Sequence, residues 1–550
     1  MVKQLFTEAW AQFSETTQSG PMRSAGTQEI SGVPSRLKSE SPAGVPPVHP
    51  SAQPAAPKLS EPEQTPTGAH SPESGDSFAF GEPRCNSAYR PQGNRPETKT
   101  ANRNPLLGIA EAETSTTPEY YFLRGVHASG KSPASCQSYP KNSPPVPKFD
   151  VESVRRDFPA LHQVVNGKPL IWLDNAATTH KPQAVIDATT QFYSRDNSNI
   201  HRAAHTLAAR STELFEAGRE KVRKFLGAGD AKEIIFTRGT TEAINLVAQS
   251  YGRKNIGPGD EIIVSELEHH ANIVPWQLLA GQVGATVRVI PINDRGELML
   301  EEFVKLHGGR IKFVSVAHVS NSLGTINPVE QIIALAHARG VPVLVDGAQS
   351  TPHLPVNVTA LDADFYVFSG HKIFGPTGIG ALYGKSALLE TMQPWQGGGH
   401  MIKDVRFEKT IYQPAPEKFE AGTPDIAGVV GLGAAIDYLF KVGIPAIASY
   451  EHALLEYATQ RMATIPGLRP IGTALNKASV LSFVIPGVSN ESIARQLDKN
   501  GIAVRAGHHC AQPAIRHFGL ETSVRPSLAF YNTTEEIDAL VQVLGKLKKH

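Results

Sequence analysis

At 550 residues the chain is long enough for two or more domains around a large core. Its 53 Lys and Arg against 52 Asp and Glu leave a net charge of +1, so no overall basic field points to nucleic acid. No apolar run approaches the roughly 18 residues of a membrane span, and no membrane association is expected.

The amino terminus shows no signal-peptide apolar core, and its acidic residues argue against an organelle transit peptide. The first 148 residues hold 21 of the 42 prolines and are rich in Ser, Thr, Gly, Gln and Ala. Such a composition buries too little apolar surface to offset ordering entropy, so the segment is predicted to be disordered. It ends in the linker Ser143-Pro-Pro-Val-Pro-Lys148. Within it, Val2, Leu5, Phe6, Ala9, Trp10 and Phe13 fall on one helical face. Phe78-Ala-Phe80, Leu106-Leu-Gly-Ile109 and Tyr120-Tyr-Phe-Leu123 are apolar islands of the kind that dock by strand addition or as helices in grooves. Cys85, Cys136 and Cys510 stand far apart in no metal-like spacing, so no metal and no disulfide framework is expected, and a reducing, cytoplasmic setting is.

From Phe149 the punctuation is that of an α/β protein. Asp150 is suited to cap a helix starting at Val151. Leu170-Ile-Trp-Leu173 reads as a strand, and six more apolar runs follow at 233–236, 261–264, 286–290, 311–316, 343–345 and 365–368. Separated by helix-length segments, they predict a largely parallel sheet covered on both faces. After about Pro416 the pattern becomes mixed, as in a smaller α+β lobe carrying a terminal helix.

Two of these strands end abruptly in polar groups. Val343-Leu-Val-Asp346-Gly-Ala-Gln349 delivers an acid, and Phe365-Tyr-Val-Phe-Ser-Gly-His-Lys372 delivers a lysine. A lysine in an apolar setting has a lowered pKa and can attack a carbonyl. A carboxylate facing a pyridinium nitrogen completes the outline of a pyridoxal-phosphate site. Gly239, Thr240 and Thr241, at the start of a helix read over 243–248, offer N–H groups and hydroxyls to a phosphate, although ordinary capping explains that fragment equally well. Ser369 and His371 add donors beside Lys372. His269, after the 261–264 strand, offers an aromatic face for the ring and a nitrogen for proton transfer; with His270 it makes a poor metal pair, since no third ligand is evident. Gln349 is placed to bond a phenolic oxygen, and Asn321 to contact substrate or ring hydroxyl.

Leu173-Asp-Asn175-Ala-Ala-Thr-Thr179, Gly239-Thr-Thr-Glu242, Glu268-His-His-Ala-Asn272, Asp346-Gly-Ala-Gln349, Ser369-Gly-His-Lys372 and Arg505-Ala-Gly-His-His-Cys510 occur in this order. From about Phe149 onward the chain resembles the Suf-type cysteine desulfurases, the group that includes selenocysteine lyases. The resemblance implies a fold-type I pyridoxal-phosphate enzyme acting as a homodimer, with a large domain about 166–415 and a small one about 416–550 plus 149–165. It implies that Lys372 holds the cofactor and moves the substrate's Cα proton, that His269 stacks on the ring, and that Asp346 and Gln349 tune it. Thr240, Thr241, Ser369 and His371 would bind phosphate, joined by Thr423 of a neighbouring subunit. Arg525 would clamp the carboxylate of L-cysteine, with Arg505 as a secondary anion contact. Cys510, where Arg505, His508 and His509 favour thiolate, would take the sulfur as a persulfide for a SufE-like acceptor serving iron–sulfur assembly or a sulfur store. Pro526 departs from the family's usual small residue and constrains the backbone beside Arg525. The long extension is similar in kind to those of desulfurases packaged in encapsulin-like shells, which would place the enzyme inside such a compartment.

Overall fold

The structure is a computed structural model that describes residues 149–547 apart from 202–203 and 307–308. The 1–148 extension, with its helical face, islands, linker, Cys85 and Cys136, lies outside the described residues. Asp150 does cap the helix Val151–Arg156, its carboxylate accepting from Ser153 N at 3.0 Å.

A seven-stranded sheet organises the middle of the chain, in the order Ile234–Thr237, Gly380–Gly384, Phe365–Ser369, Val343–Asp346, Ile311–Ala317, Glu261–Ser265, Thr286–Ile290. Its last five strands run parallel, whereas Gly380–Gly384 is antiparallel to both neighbours. Strand periodicity assigns alternate residues to opposite faces. Val343 and Val345 accordingly enter one core cluster and Leu344 the other; Tyr366 and Phe368 part from Phe365 and Val367 in the same way. The strands Ile234–Thr237, Val343–Asp346 and Phe365–Ser369 are buried throughout, whereas the edge strand Thr286–Ile290 is largely exposed.

Six of the seven strands were legible as apolar runs. Gly380-Ala-Leu-Tyr-Gly384 was missed because a glycine at each end reads as loop. Gly380 is needed for packing: a Cβ there would meet Phe368 O at 2.4 Å and Gly239 Cα at 2.6 Å.

The segment after Pro416 carries the long helices Ile426–Val442 and Ile444–Ala463, a four-stranded antiparallel sheet and the terminal helix Thr534–Gly545. In that sheet Arg505–Gly507 pairs with Ser523–Arg525. Ile171–Trp172 pairs in parallel with Ile502–Ala503, which ties the early strand to the carboxyl-terminal segment rather than to the large sheet. Among the described residues no single helix is long and apolar enough to cross a membrane.

Candidate active site

Parallel strands aim their last residues at a common rim, where the chain turns into loops free to bind ligands. The site residues read from the sequence line one cavity at this rim, except Gly239, His508 and Thr423. Thr423 lines a separate cavity with Asn197 and Asn199, whose Nδ2 approaches the threonine hydroxyl at 3.4 Å.

Lys372 follows the strand Phe365–Ser369 within a 3₁₀ turn. Burial lowers its pKa to about 8, outweighing the charge of Asp346 that pulls the other way. Burial pushes Asp346 up, against the Ala348 N–H that its Oδ1 accepts at 2.9 Å and the charge of Lys372.

Gly239 stands at the amino terminus of the helix Thr240–Val247, which begins three residues earlier than its apolar run suggests. Its φ of 146° is open only to glycine, and an added Cβ would press on Ser369 Oγ at 3.1 Å. Ser369 Oγ accepts from Thr240 N at 2.9 Å and lies 2.9 Å from Thr240 Oγ1. Thr241 lines both this cavity and an adjoining opening. Helix N–H groups, hydroxyls and a glycine cradle thus converge as an anion cup requires.

His269 is held neutral by burial, with its pKa lowered to about 3. Its Nδ1 accepts from Ala271 N at 3.0 Å, so the neutral ring carries its proton on Nε2, as a donor. His371, lowered to about 4 by burial, contacts Thr178 Oγ1 through Nδ1 at 3.2 Å.

Arg525 is buried. Its Nη1 donates to Asn321 O at 2.9 Å and its Nη2 to Asp174 Oδ1 at 3.0 Å, while Nε has no partner. Arg505, cross-strand from Arg525, reaches Asp174 Oδ2 at 3.3 Å. One carboxylate therefore holds two guanidinium groups in place. No sequence signal singled out Asp174, although it stands in the Leu173–Thr179 run. Pro526 follows the last strand residue, so its missing N–H costs the ladder no hydrogen bond.

Cys510 is a half-buried free thiol. It and His509 both take left-handed backbone conformations, φ 54° and 53°, a strained pair of the kind found at functional sites. The loop is pinned by His270 N donating to Cys510 O at 2.7 Å and by Asn321 Nδ2 donating to His509 O at 2.7 Å. Asn321 thus spends its amide N–H on this loop, leaving Oδ1 unpartnered toward the cavity.

One sequence expectation needs correction here. His509 lends Cys510 no charge: its Nε2 lies 2.9 Å from Ser523 Oγ, and burial holds its pKa at about 3. His269 belongs to no metal-like cluster among the described residues, whereas His270, His508 and Cys510 bring candidate ligand atoms within 4.8 Å of one another. Both imidazoles already accept backbone N–H groups, His508 Nδ1 from Cys510 at 3.0 Å and His270 Nε2 from Gln512 at 3.3 Å. Their acceptor nitrogens thus brace the loop that presents the thiol.

Residues 171–540 match the aminotransferase class-V family. The chain belongs to the class-V aminotransferase family. It is 61% identical over 400 residues to a cysteine desulfurase of Synechococcus elongatus, covering 73% of this chain but 64% of that protein. A probable cysteine desulfurase of Vibrio cholerae is 51% identical over 398 residues, 72% of this chain and 98% of its own length. Among solved structures, the cysteine desulfurase CsdA of Escherichia coli aligns with a TM-score of 0.67 at 45% identity, covering 72% of this chain and 97% of that one. The chain therefore spans just under two thirds of the Synechococcus protein and nearly all of the Vibrio protein.

Class-V aminotransferases depend on pyridoxal phosphate, and the cavity fits that group. The cup at Gly239–Thr241 suits a phosphate, the buried acid Asp346 a ring nitrogen, and Lys372 an aldehyde carbon. Two unpartnered buried atoms on the lining, Asn321 Oδ1 and Arg525 Nε, are polar groups that no described residue satisfies.

A pH dependence follows from the lysine. The nucleophilic, deprotonated fraction of Nζ grows as pH rises through its folded pKa. Recapture of pyridoxal phosphate by the stripped protein is therefore expected to accelerate with pH about a midpoint near 8. A midpoint near the ordinary lysine value of 10.5 in stopped-flow absorbance would contradict this assignment.

Proposed function

We propose that this protein is a cysteine desulfurase, converting L-cysteine to L-alanine with transfer of sulfur to Cys510. The observation that carries the reading is a free, half-buried thiol lining the same cavity as Lys372 and Arg525. Amino-group exchange alone needs no thiol there. Cysteine desulfurase is also what the relatives are named.

Bound pyridoxal phosphate supplies an electron sink that acidifies the substrate Cα–H and makes its C–S bond labile. Lys372 would hold the cofactor through Nζ and would take the substrate's Cα proton on that atom; a pKa near 8 leaves a substantial neutral fraction at neutral to mildly alkaline pH. Thr240, Thr241, Ser369 and His371 would hold the phosphate, and His269 would offer the ring a neutral imidazole that adds no positive charge. Arg525 and Arg505 draw the carboxylate to the Asp174 end of the cavity. Cys510 Sγ attacks the substrate Sγ, the C–S bond breaks, the substrate Cβ receives a proton, and Lys372 Nζ returns the proton to Cα. L-Cysteine and the Cys510 thiol thus become L-alanine and a Cys510 persulfide, with atoms and electrons balanced.

The test is stoichiometry: under a thiol reductant, one L-alanine should appear for each sulfide released from L-cysteine. Pyruvate and ammonia in place of alanine would contradict the reading. Selenocysteine lyase activity of the same site would show as a Cys510→Ala rate retained on selenocysteine and lost on cysteine.

Arg525→Lys should raise KM for L-cysteine by roughly ten- to a hundredfold, because an ammonium keeps the charge near Asp174 but loses the planar fork. The cofactor spectrum should be unchanged. An unaltered KM would remove Arg525 from carboxylate binding. Lysine is the informative substitution, since removing Arg525 outright would leave the Asp174 carboxylate to Arg505 alone.

The working unit in this reading is a homodimer with a large domain about 166–415 and a small one formed by 416–550 with 149–165. Thr423 lies away from its own chain's cavity, which supports its reaching the phosphate of a neighbouring subunit. The persulfide would pass to a SufE-like acceptor for iron–sulfur assembly or sulfur storage. Residues 1–148 would act as a docking segment for an encapsulin-like shell, a reading supported by their composition and apolar islands. Co-expression with such a shell should retain the full-length chain and lose Δ1–148; equal co-purification of both would contradict it.

A further inference from the structure

Behind Gln349 runs a buried polar chain that none of the roles above uses. Gln349 and His353 lie four residues apart on the helical turn after the strand Val343–Asp346, so their side chains meet, with Nε2 of each 3.2 Å apart. His353 Nδ1 lies 2.6 Å from Glu451 Oε2, and Glu451 comes from the helix Ile444–Ala463. All three are at most 4% exposed, so no bulk water substitutes for a missing partner.

The Gln349 amide has two chemically opposite ends of nearly identical shape, and its neighbours decide which faces where. A Glu451 carboxylate accepts, so His353 Nδ1 bears a proton. If Nε2 bears none, it accepts from the Gln349 amide N–H, and the carbonyl faces the cavity; Gln349 Oε1 is indeed the unpartnered atom there. If Nε2 also bears a proton, it donates to the amide oxygen, and the N–H end faces the cavity. The ring oxygen of pyridoxal phosphate is an acceptor when ionised, and only the second arrangement satisfies both ends of the amide.

We propose that Glu451 and His353 are positioning residues that turn the N–H end of Gln349 toward the cofactor's ring oxygen. The proposal rests on the reading that Gln349 faces that oxygen. Glu451 is the anchor: its charge is also felt by the buried phenols of Tyr450 and Tyr531, and Ser479 Oγ lies 3.5 Å from it.

A donor at the ring oxygen competes with the cofactor's own internal hydrogen bond. Losing it should therefore raise the pH midpoint of the bound cofactor's visible absorbance, by about one unit for one charge-assisted bond. The experiment titrates that absorbance in the full-length holoenzyme for the parent, Glu451→Gln, Gln349→Ala and the double variant. The other ionisable groups lining the cavity, Asp346, His269, His371, Lys372, Arg505, His509, Cys510 and Arg525, are the same in all four proteins. Glu451→Gln should raise the midpoint in the parent background and leave it unmoved in the Gln349→Ala background. An unshifted midpoint in Glu451→Gln, or equal shifts in both backgrounds, overturns the proposal while Gln349→Ala still shifts. An unshifted midpoint in Gln349→Ala overturns the reading beneath it. Should Glu451→Gln fail to fold, His353→Asn keeps a donor toward Glu451, ends the contact with Gln349, and must give the same pattern.

Discussion

Cys510→Ala is expected to cut cysteine-dependent sulfur transfer by at least about a thousandfold while leaving the cofactor's visible absorbance intact. The two effects separate because of where the thiol sits. Cys510 is on a loop from the carboxyl-terminal segment, held by His270, His508 and Asn321, whereas the groups that suit the phosphate and ring come from the large sheet and the helix Thr240–Val247. Alanine removes only Sγ and tolerates the left-handed φ about as poorly as cysteine does, so the loop has no new reason to move. Persulfide labelling and alanine release, measured beside the absorbance spectrum, check both halves. Parent-like release of sulfide and alanine would mean that Cys510 does not accept the sulfur.

Lys372→Ala is expected to abolish the visible absorbance of the covalently held cofactor and to lower turnover by about ten-thousandfold or more. No other lysine lines the cavity among the described residues. Lys181 and Lys477 are also lowered to about 8 by burial, but neither lines the cavity, and their Nζ atoms donate to Thr179 O at 2.5 Å and Gly472 O at 2.6 Å. Lys372→Arg keeps a positive charge beside Asp346 and should fail in the same way, which separates loss of the amine from loss of the charge. A parent-like spectrum in either variant would contradict the lysine's role.

Much of this site was legible because its residues sit in short local runs. Asp346, Gln349, Ser369, His371 and Lys372 each follow an apolar strand within a few residues, and a strand ending in polar groups announces its own carboxyl end. The six strands were legible for the same reason. What escaped depends on partners distant in sequence. Asp174 gains its meaning only when the pairing of Arg505 with Arg525 brings two guanidinium groups to it, and nothing local marks Glu451 as the partner of His353. His509 looked like a neighbour that would charge Cys510, yet its side chain turns to Ser523, a direction set by backbone angles that sequence spacing does not encode. The strand Gly380–Gly384 was hidden by the glycines that let it pass against Gly239.

Single-turnover mass spectrometry on the full-length holoenzyme tests the central claim most directly. Mixed with one equivalent of L-cysteine and no reductant, the protein should gain the mass of one sulfur atom on the peptide carrying Cys510 and release one L-alanine. Alanine or pyruvate formed with Cys510 unmodified and all the sulfur recovered as free sulfide would contradict it.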